Sequence, residues 1–306
     1  MAEMKQDMYG ATGRLGNKTY YQRLGKTIVR TNTRPKNPKT EAQSLQRVLV
    51  KAVNKSYSKL KEVCDHSFED YKNSFECMNK FKKVNLNYLR EHVATLMNSG
   101  QGLDQFYQFE PLQSIKWTPF AAIISEGHLP QIAVGIDAEG GCKAYVNTPG
   151  PTYADFVAAW NLQRGDMLTF VTVQKWEGES KVFYARLVLD PRDTDGAGAP
   201  MTTKIVDNQG VFPCSNRKDE LNFSTFTFTD DRFNFVLGQG GIMVAAGIIV
   251  SRKADDYNWF RSNCQLVLNV ASLGPDLCSL AKAVEYSYKT SKIDVESNLY
   301  LNNAKK

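Results

Sequence analysis

Apolar and polar positions fall into three regimes along the chain. Between Gly10 and Thr40 apolar residues are sparse, and Tyr20, Tyr21, Ile28 and Val29 form the main large group. Residues 18–22 and 26–31 read as two short strands turning at Leu24-Gly25. A lone hairpin is marginal in water, so such an arm needs a surface to dock on. After Asn37-Pro38-Lys39 the period becomes helical. Thr40-x-x-Gln43 is a capping box, and Leu45, Val48, Leu49, Ala52, Val53, Tyr57 and Leu60 follow at helical spacing. Arg47, Lys51, Lys55 and Lys59 occupy the opposite face. A second helix is expected over 67–83, with Phe68, Tyr71, Phe75, Met78 and Phe81 on one side. A third is expected over 86–97, stopped by Asn98-Ser99-Gly100.

Beyond Gly100 the pattern changes to short β-type runs separated by turn residues. The spacing predicts strands over 120–124, 131–136, 142–146, 167–173, 181–189, 223–228, 233–237, 241–251 and 265–269. Residues 176–180 read as a hairpin connection, 192–200 as a Gly/Asp/Ala loop, and 154–160 as a single short helix between strands. Residues 276–290 carry Leu277, Leu280, Ala281, Val284 and Tyr288 at helical spacing, followed by a polar tail. The expected fold class is α+β. A basic N-terminal arm (1–39) and a small helical region (40–100) precede an all-β, sandwich-like module (101–270), open to division into two small β subdomains. A short C-terminal helix and tail (271–306) close the chain.

Composition alters this picture mainly through where the charge sits. The chain has 306 residues, 42% hydrophobic and 23% charged, enough for a substantial core. Its formal net charge is +6, but residues 1–60 hold 13 Lys/Arg against three acids. Between Gly10 and Thr40 there are eight bases and no acid: Arg14, Lys18, Arg23, Lys26, Arg30, Arg34, Lys36 and Lys39. A basic head on a slightly acidic body points to a polyanion, or an acidic protein groove, as partner of the head. The candidate partner-binding residues are those eight bases with Tyr20, Tyr21, Arg47 and Lys51, since cations interleaved with aromatics suit phosphate contacts plus stacking. Clasping of a neighbouring subunit and a simply solvated arm are the competing readings of the same residues.

Common catalytic and metal chemistries find little support. Gly25-Lys26-Thr27 lacks the earlier glycine of a phosphate loop, since Tyr20 stands there. Gly238-Gln239-Gly240-Gly241 lies between β-type runs and reads as a tight turn. His66, His92 and His128 are the three histidines, and none has a Cys or second His at ligand spacing. The six cysteines form no C-x-x-C pair and read as reduced, mostly buried thiols. No catalytic residue, cofactor or metal is expected. Arg164-Gly165-Asp166 reads as a strand-entry turn rather than an adhesion tripeptide. The first residues carry no apolar signal core, and no apolar run reaches bilayer length, so a cytoplasmic start and no membrane partner are expected. Trp117, Trp160, Trp176 and Trp259 are candidates for an aromatic glycan groove, with core packing as the plainer use of each.

The stretch Gly16-Asn17-Lys18-Thr19-Tyr20, then Gly25-Lys26-Thr27-Ile28-Val29-Arg30, then Asn37-Pro38-Lys39-Thr40-Glu41-Ala42-Gln43 with Arg47, resembles the head of a family of uncharacterised proteins from gut Bacteroidota and their mobile elements. The run 245–252, with 259–262 and 266–268, is similar to that family's closing strand pair. The resemblance implies an architecture, a basic head with a few helices and β-rich domains, and a mobile-element setting. Phage or phage-like structural roles fit that setting. The leading expectation is therefore a non-enzymatic structural or assembly protein of a virion or related particle, acting as a homo- or hetero-oligomer. Its arm would contact neighbouring subunits or packaged DNA or RNA. A cytoplasmic nucleic-acid-binding protein and a carbohydrate- or surface-binding β module are the alternatives.

Overall fold

The structure is a computed structural model. It describes residues 2–3, 12–23, 26–31, 40–71, 73–99, 117, 119–137, 143–150, 153–163, 165–176, 179–189, 204–205, 225–229, 231–237, 241–254 and 258–269. The fold is mixed α+β, with its strands in several antiparallel sheets. The chain divides into two compact units, Met1–Thr40 and Glu41–Lys306. The expected helix at 276–290, the loop at 192–200 and the glycine turn at 238–240 lie outside the described residues.

The first unit is a four-stranded antiparallel sheet, where the sequence predicts only a hairpin. Its strands are β1 (Ala2–Glu3), β2 (Gly13–Leu15), β3 (Lys18–Arg23) and β4 (Lys26–Thr31), in the order β1-β4-β3-β2. The two central strands match the expected pair, with Arg23 facing Lys26 at its end. The strands missed, β1 and β2, are two and three residues long, too short to show any alternation. Gly16-Asn17 links β2 to β3, with Leu15 paired to Lys18. Gly16 has φ +58, which fits the type II′ hairpin, where the first central residue is glycine.

The second unit begins with α1 (Glu41–Cys64), which buries Val48, Leu49, Val53, Tyr57 and Leu60 on the face its spacing predicts. The second and third expected helices are one continuous helix, α2 (Ser74–Asn98). It starts later than expected because Asp70 is left-handed (φ 70) and Asn73 is the N-cap, its side chain accepting from the Glu76 N–H at 2.8 Å. Residues 67–70 instead brace the β region: Phe68 bridges Glu126, and the Ser67 hydroxyl donates to the Ile124 carbonyl at 2.5 Å. No Gly or Pro separates 83 from 86, so the helix runs through to Asn98. Its buried stripe is Cys77, Phe81, Asn85, Leu89 and Val93.

The strands of this unit are β5 (Ile123–Ser125), β6 (Gly135–Ile136), β7 (Ala144–Asn147), β8 (Met167–Trp176), β9 (Glu179–Val188), β10 (Lys204–Ile205), β11 (Thr225–Thr229), β12 (Arg232–Val236), β13 (Ile242–Lys253), β14 (Trp259–Arg261), β15 (Cys264–Gln265) and β16 (Val267–Leu268). The short helix α3 (Tyr153–Ala159) lies where expected. The largest sheet runs β10-β9-β8-β13-β14, with β16 also on β13. A second sheet runs β11-β12-β7-β6, and β15 pairs with β5. Trp176 faces Glu179 at the end of the β8–β9 pair, where the sequence predicts a hairpin connection. Gly165 (φ 84) and the buried Asp166 make the turn into β8.

Alternation along β8 and β13 buries both faces of the large sheet. Val171, Val173, Ala245 and Ile249 pack with α1, α2, Trp117 and Phe120 in one core. Leu168, Phe170, Ala246, Ile248 and Val250 pack with Val146, Phe233, Phe235 and Phe156 in a second. A β-bulge between Met243 and Ala245 shifts the parity of β13, so Met243 joins the second core. The helices α1 and α2 thus share a core with the β region that follows them.

Candidate nucleic-acid interface

The first unit's register sorts its cations by face. Thr19 pairs with both Arg14 and Arg30, Tyr21 pairs with Ile28, and Arg23 pairs with Lys26. Side chains alternate along a strand, so these residues share one face of the sheet. By register that face carries a row of Arg14, Thr19 and Arg30, a middle row of Tyr21 and Ile28 with Glu3 at its edge, and a row of Arg23 and Lys26. All four cations are exposed, and Tyr21 is half-buried between the rows. The Arg30 guanidinium carbon lies 5.9 Å from the Tyr21 ring centroid, at the outer reach of a cation–π contact. Arg14 Nε donates to the Gly16 carbonyl at 3.2 Å, which ties its stem to the β2–β3 turn.

The opposite face holds Lys18, Tyr20 and Gln22, with Val29 facing Tyr20. Tyr20 is buried, so it anchors the sheet, whereas Tyr21 is the aromatic of the cationic face. Arg34, Lys36 and Lys39 lie outside the described residues. Arg47 and Lys51 belong to α1, in the second unit. Thr19, which the sequence reading passed over, stands between Arg14 and Arg30. Period-2 counting along 18–23 carries the signal for it.

Arg23 and Lys26 are direct cross-strand partners, and like charges so placed destabilise a sheet. Glu3 on β1, paired with Ile28 at the sheet edge, is the one acidic residue that the described strands of this unit carry.

In the second unit several acids and bases are paired. Asp166, 1% exposed at its side chain, accepts Arg252 Nε and Nη2 at 2.9 and 2.8 Å, and caps the Gln163 N–H at 2.7 Å. Glu69 accepts the backbone N–H groups of Arg261 and His128, each at 3.0 Å, and meets His128 Nδ1 at 2.5 Å. A Cβ at Gly127 would collide with the Arg261 carbonyl and the Glu69 carboxylate, so the clamp closes over a glycine. Burial and the neighbouring Arg186 push Arg261 down to about 10, against the pull of Glu69. Cys64, Cys77 and Cys264 are free and buried, and burial lifts Cys77 to about 11 and Cys264 to about 12. These are inert, protonated thiols. Trp117 is buried and donates to the Ser56 hydroxyl at 3.0 Å, so it serves the core.

A groove of about 590 Å³ in the second unit is lined by Tyr57, Lys61, Phe75, Met78 and Lys82 among others, with Phe75 67% exposed. Among the described residues no group of three His, Cys, Asp or Glu is placed to hold a metal ion, and no helix is long and apolar enough to cross a membrane. No family model, no curated protein and no solved structure matches the chain.

Proposed function

We propose that this chain is a non-enzymatic structural or assembly protein, of a phage virion or phage-like particle, whose small basic sheet holds nucleic acid. The observation that carries this reading is the face of Arg14, Arg23, Lys26 and Arg30 around Tyr21, with two of its cations set directly opposite each other. Exposed cations in two rows suit a phosphate backbone, which releases its own counterions on binding. The second unit supplies the body. Its two larger sheets pack through a shared core, which supports a sandwich-like reading of that region. The head motif's likeness to mobile-element proteins supports the particle setting. A cytoplasmic nucleic-acid-binding protein uses the same face and differs only in where it works. A glycan-binding module has less support, because Trp117 is committed to the core.

Binding of the full chain to DNA across a salt series tests the interface. Two to four phosphate contacts predict a log–log salt slope of about −1.4 to −3.6. Reversing Arg14, Arg23, Lys26 and Arg30 together to Glu should abolish binding without changing the melting of the second unit. Binding that is absent in the wild type, insensitive to salt, or intact in the reversed variant overturns the reading. Mass spectrometry of particles purified from the producing culture tests the assembly role, and absence of the chain from them removes the virion setting.

A further inference from the structure

We infer that the ligand of the cationic face is single-stranded nucleic acid, with one base stacked on Tyr21 and phosphates held by the cation rows on either side. This rests on the polyanion reading above and adds the form of the ligand.

Three features of the face carry it. First, an aromatic ring stands at its centre, between Arg14 and Arg30 on one side and Arg23 and Lys26 on the other. A duplex keeps its base faces inside the stack, where such a ring has nothing to meet, whereas an unpaired base presents a π-face to any aromatic platform. Arg30, whose guanidinium carbon lies over the ring 5.9 Å from its centroid, is the side chain that an incoming base displaces toward the phosphates.

Second, the rows are spaced for an extended strand. Thr19 and Arg23 are four residues apart on β3, so the two rows stand about 13 Å apart at about 3.3 Å per residue. In B-form DNA one strand's phosphates advance about 3.4 Å each along the axis, and an unstacked strand opens to roughly twice that. The rows then match two phosphates that are two nucleotides apart, with the intervening base over Tyr21.

Third, the sheet is the wrong shape for a duplex groove. The major groove is about 12 Å wide and admits a helix or a two-stranded ribbon. Four strands at about 4.8 Å spacing already measure about 14 Å between the outer axes, before side chains are added.

The test compares the full chain's affinity for dT12 and for a 12-base-pair duplex by fluorescence anisotropy at one salt concentration. The expected result is a preference for dT12 of tenfold or more. Tyr21→Ala should weaken dT12 binding roughly tenfold and leave duplex binding unchanged, while Tyr21→Phe keeps the wild-type preference. Tyr21→Leu fills the same space in the sheet without a π-face. It should behave like Tyr21→Ala, which separates loss of stacking from loss of fold. Equal affinity for both ligands, or dT12 binding that survives both Tyr21→Ala and Tyr21→Leu, overturns the inference while salt-dependent binding leaves the polyanion reading standing. Absence of binding to either ligand overturns both.

Discussion

In the unit of residues 41–306, each face of β8 and β13 is buried, and acids meet bases at Asp166–Arg252, Glu69–His128 and Lys80–Glu126. In the unit of residues 1–40, Tyr20 is the one buried apolar side chain among those described, and bases sit beside bases. One unit is organised by what it removes from water, the other by what it leaves there. The nucleic-acid ligand proposed above accounts for a sheet whose described residues expose four cations on one face and bury one apolar side chain. The same contrast ranks what substitutions should do.

The largest effect belongs in the first core. Phe81 is fully buried, with the Tyr57 ring at 5.4 Å and the Phe68 ring at 6.4 Å between centroids. Phe81→Ala should destabilise the second unit by about 3–5 kcal/mol, seen as a lowered denaturation midpoint with unchanged slope. Close behind stands Asp166. Removing its carboxylate leaves the Arg252 guanidinium and the Gln163 N–H without their acceptor. Because the acid is buried, Asp166→Ala should cost about 3 kcal/mol, near the lower end for breaking a buried pair, since Arg252 keeps some access to solvent. If either change were tolerated, the second unit would not be held together in the way its packing implies.

The sign should reverse in the first unit. Arg23→Glu replaces a cross-strand repulsion with an attraction to Lys26, and pairs of this kind are worth about 0.2–1 kcal/mol. Amide hydrogen exchange at Tyr21 and Ile28 should therefore slow severalfold, while nucleic-acid binding weakens. A substitution that steadies the sheet and harms binding is the signature of a surface shaped by its ligand. If exchange quickens instead, the repulsion has no energetic weight.

How far the sequence foretold this depends on whether a feature is local. The α1 face and the β8–β9 hairpin are local, and Leu45 to Leu60 and the 176–180 turn announce them. The single α2 is only partly so. Asn85 in the middle of its stripe reads as a polar interruption, yet its side chain donates to the Ile123 carbonyl at 2.8 Å and accepts the Ile123 N–H at 2.7 Å. That partner is 38 residues away, and no spacing rule reveals it. The basic tract was legible as a tract. Its division into a cationic face with Tyr21 and an anchoring face with Tyr20 follows from parity along β3, together with the pairing of Arg14 and Arg30 to Thr19. Pairing between strands is settled by register, which single-sequence patterns leave open.

The smallest effect is a titration in the unit where several acids and bases are paired. The hydrogen bond and attraction from Glu69 hold the exposed His128 imidazole above its ordinary value. Burial works to raise Glu69, but the N–H groups of Arg261 and His128, together with the His128 ring, outweigh it and keep the carboxyl below its ordinary value. The two signs bound a window. What His128 contributes is whole below about pH 6.5 and fades as pH climbs through its raised value; what Glu69 contributes is whole above about pH 4.3 and fades as pH falls through its lowered value. The clamp is therefore fullest between those limits. With three histidines in the chain, His128 is readily followed by NMR. Its midpoint should lie above about 6.5 in the wild type and fall back toward that value in Glu69→Gln. His92, lowered by burial alone, should not move between the two proteins. An unshifted His128 in the wild type would mean that Glu69 serves the Arg261 backbone and not the imidazole. The acid–base pairing that sets the body apart from the basic sheet would then rest on Asp166 and Lys80 alone.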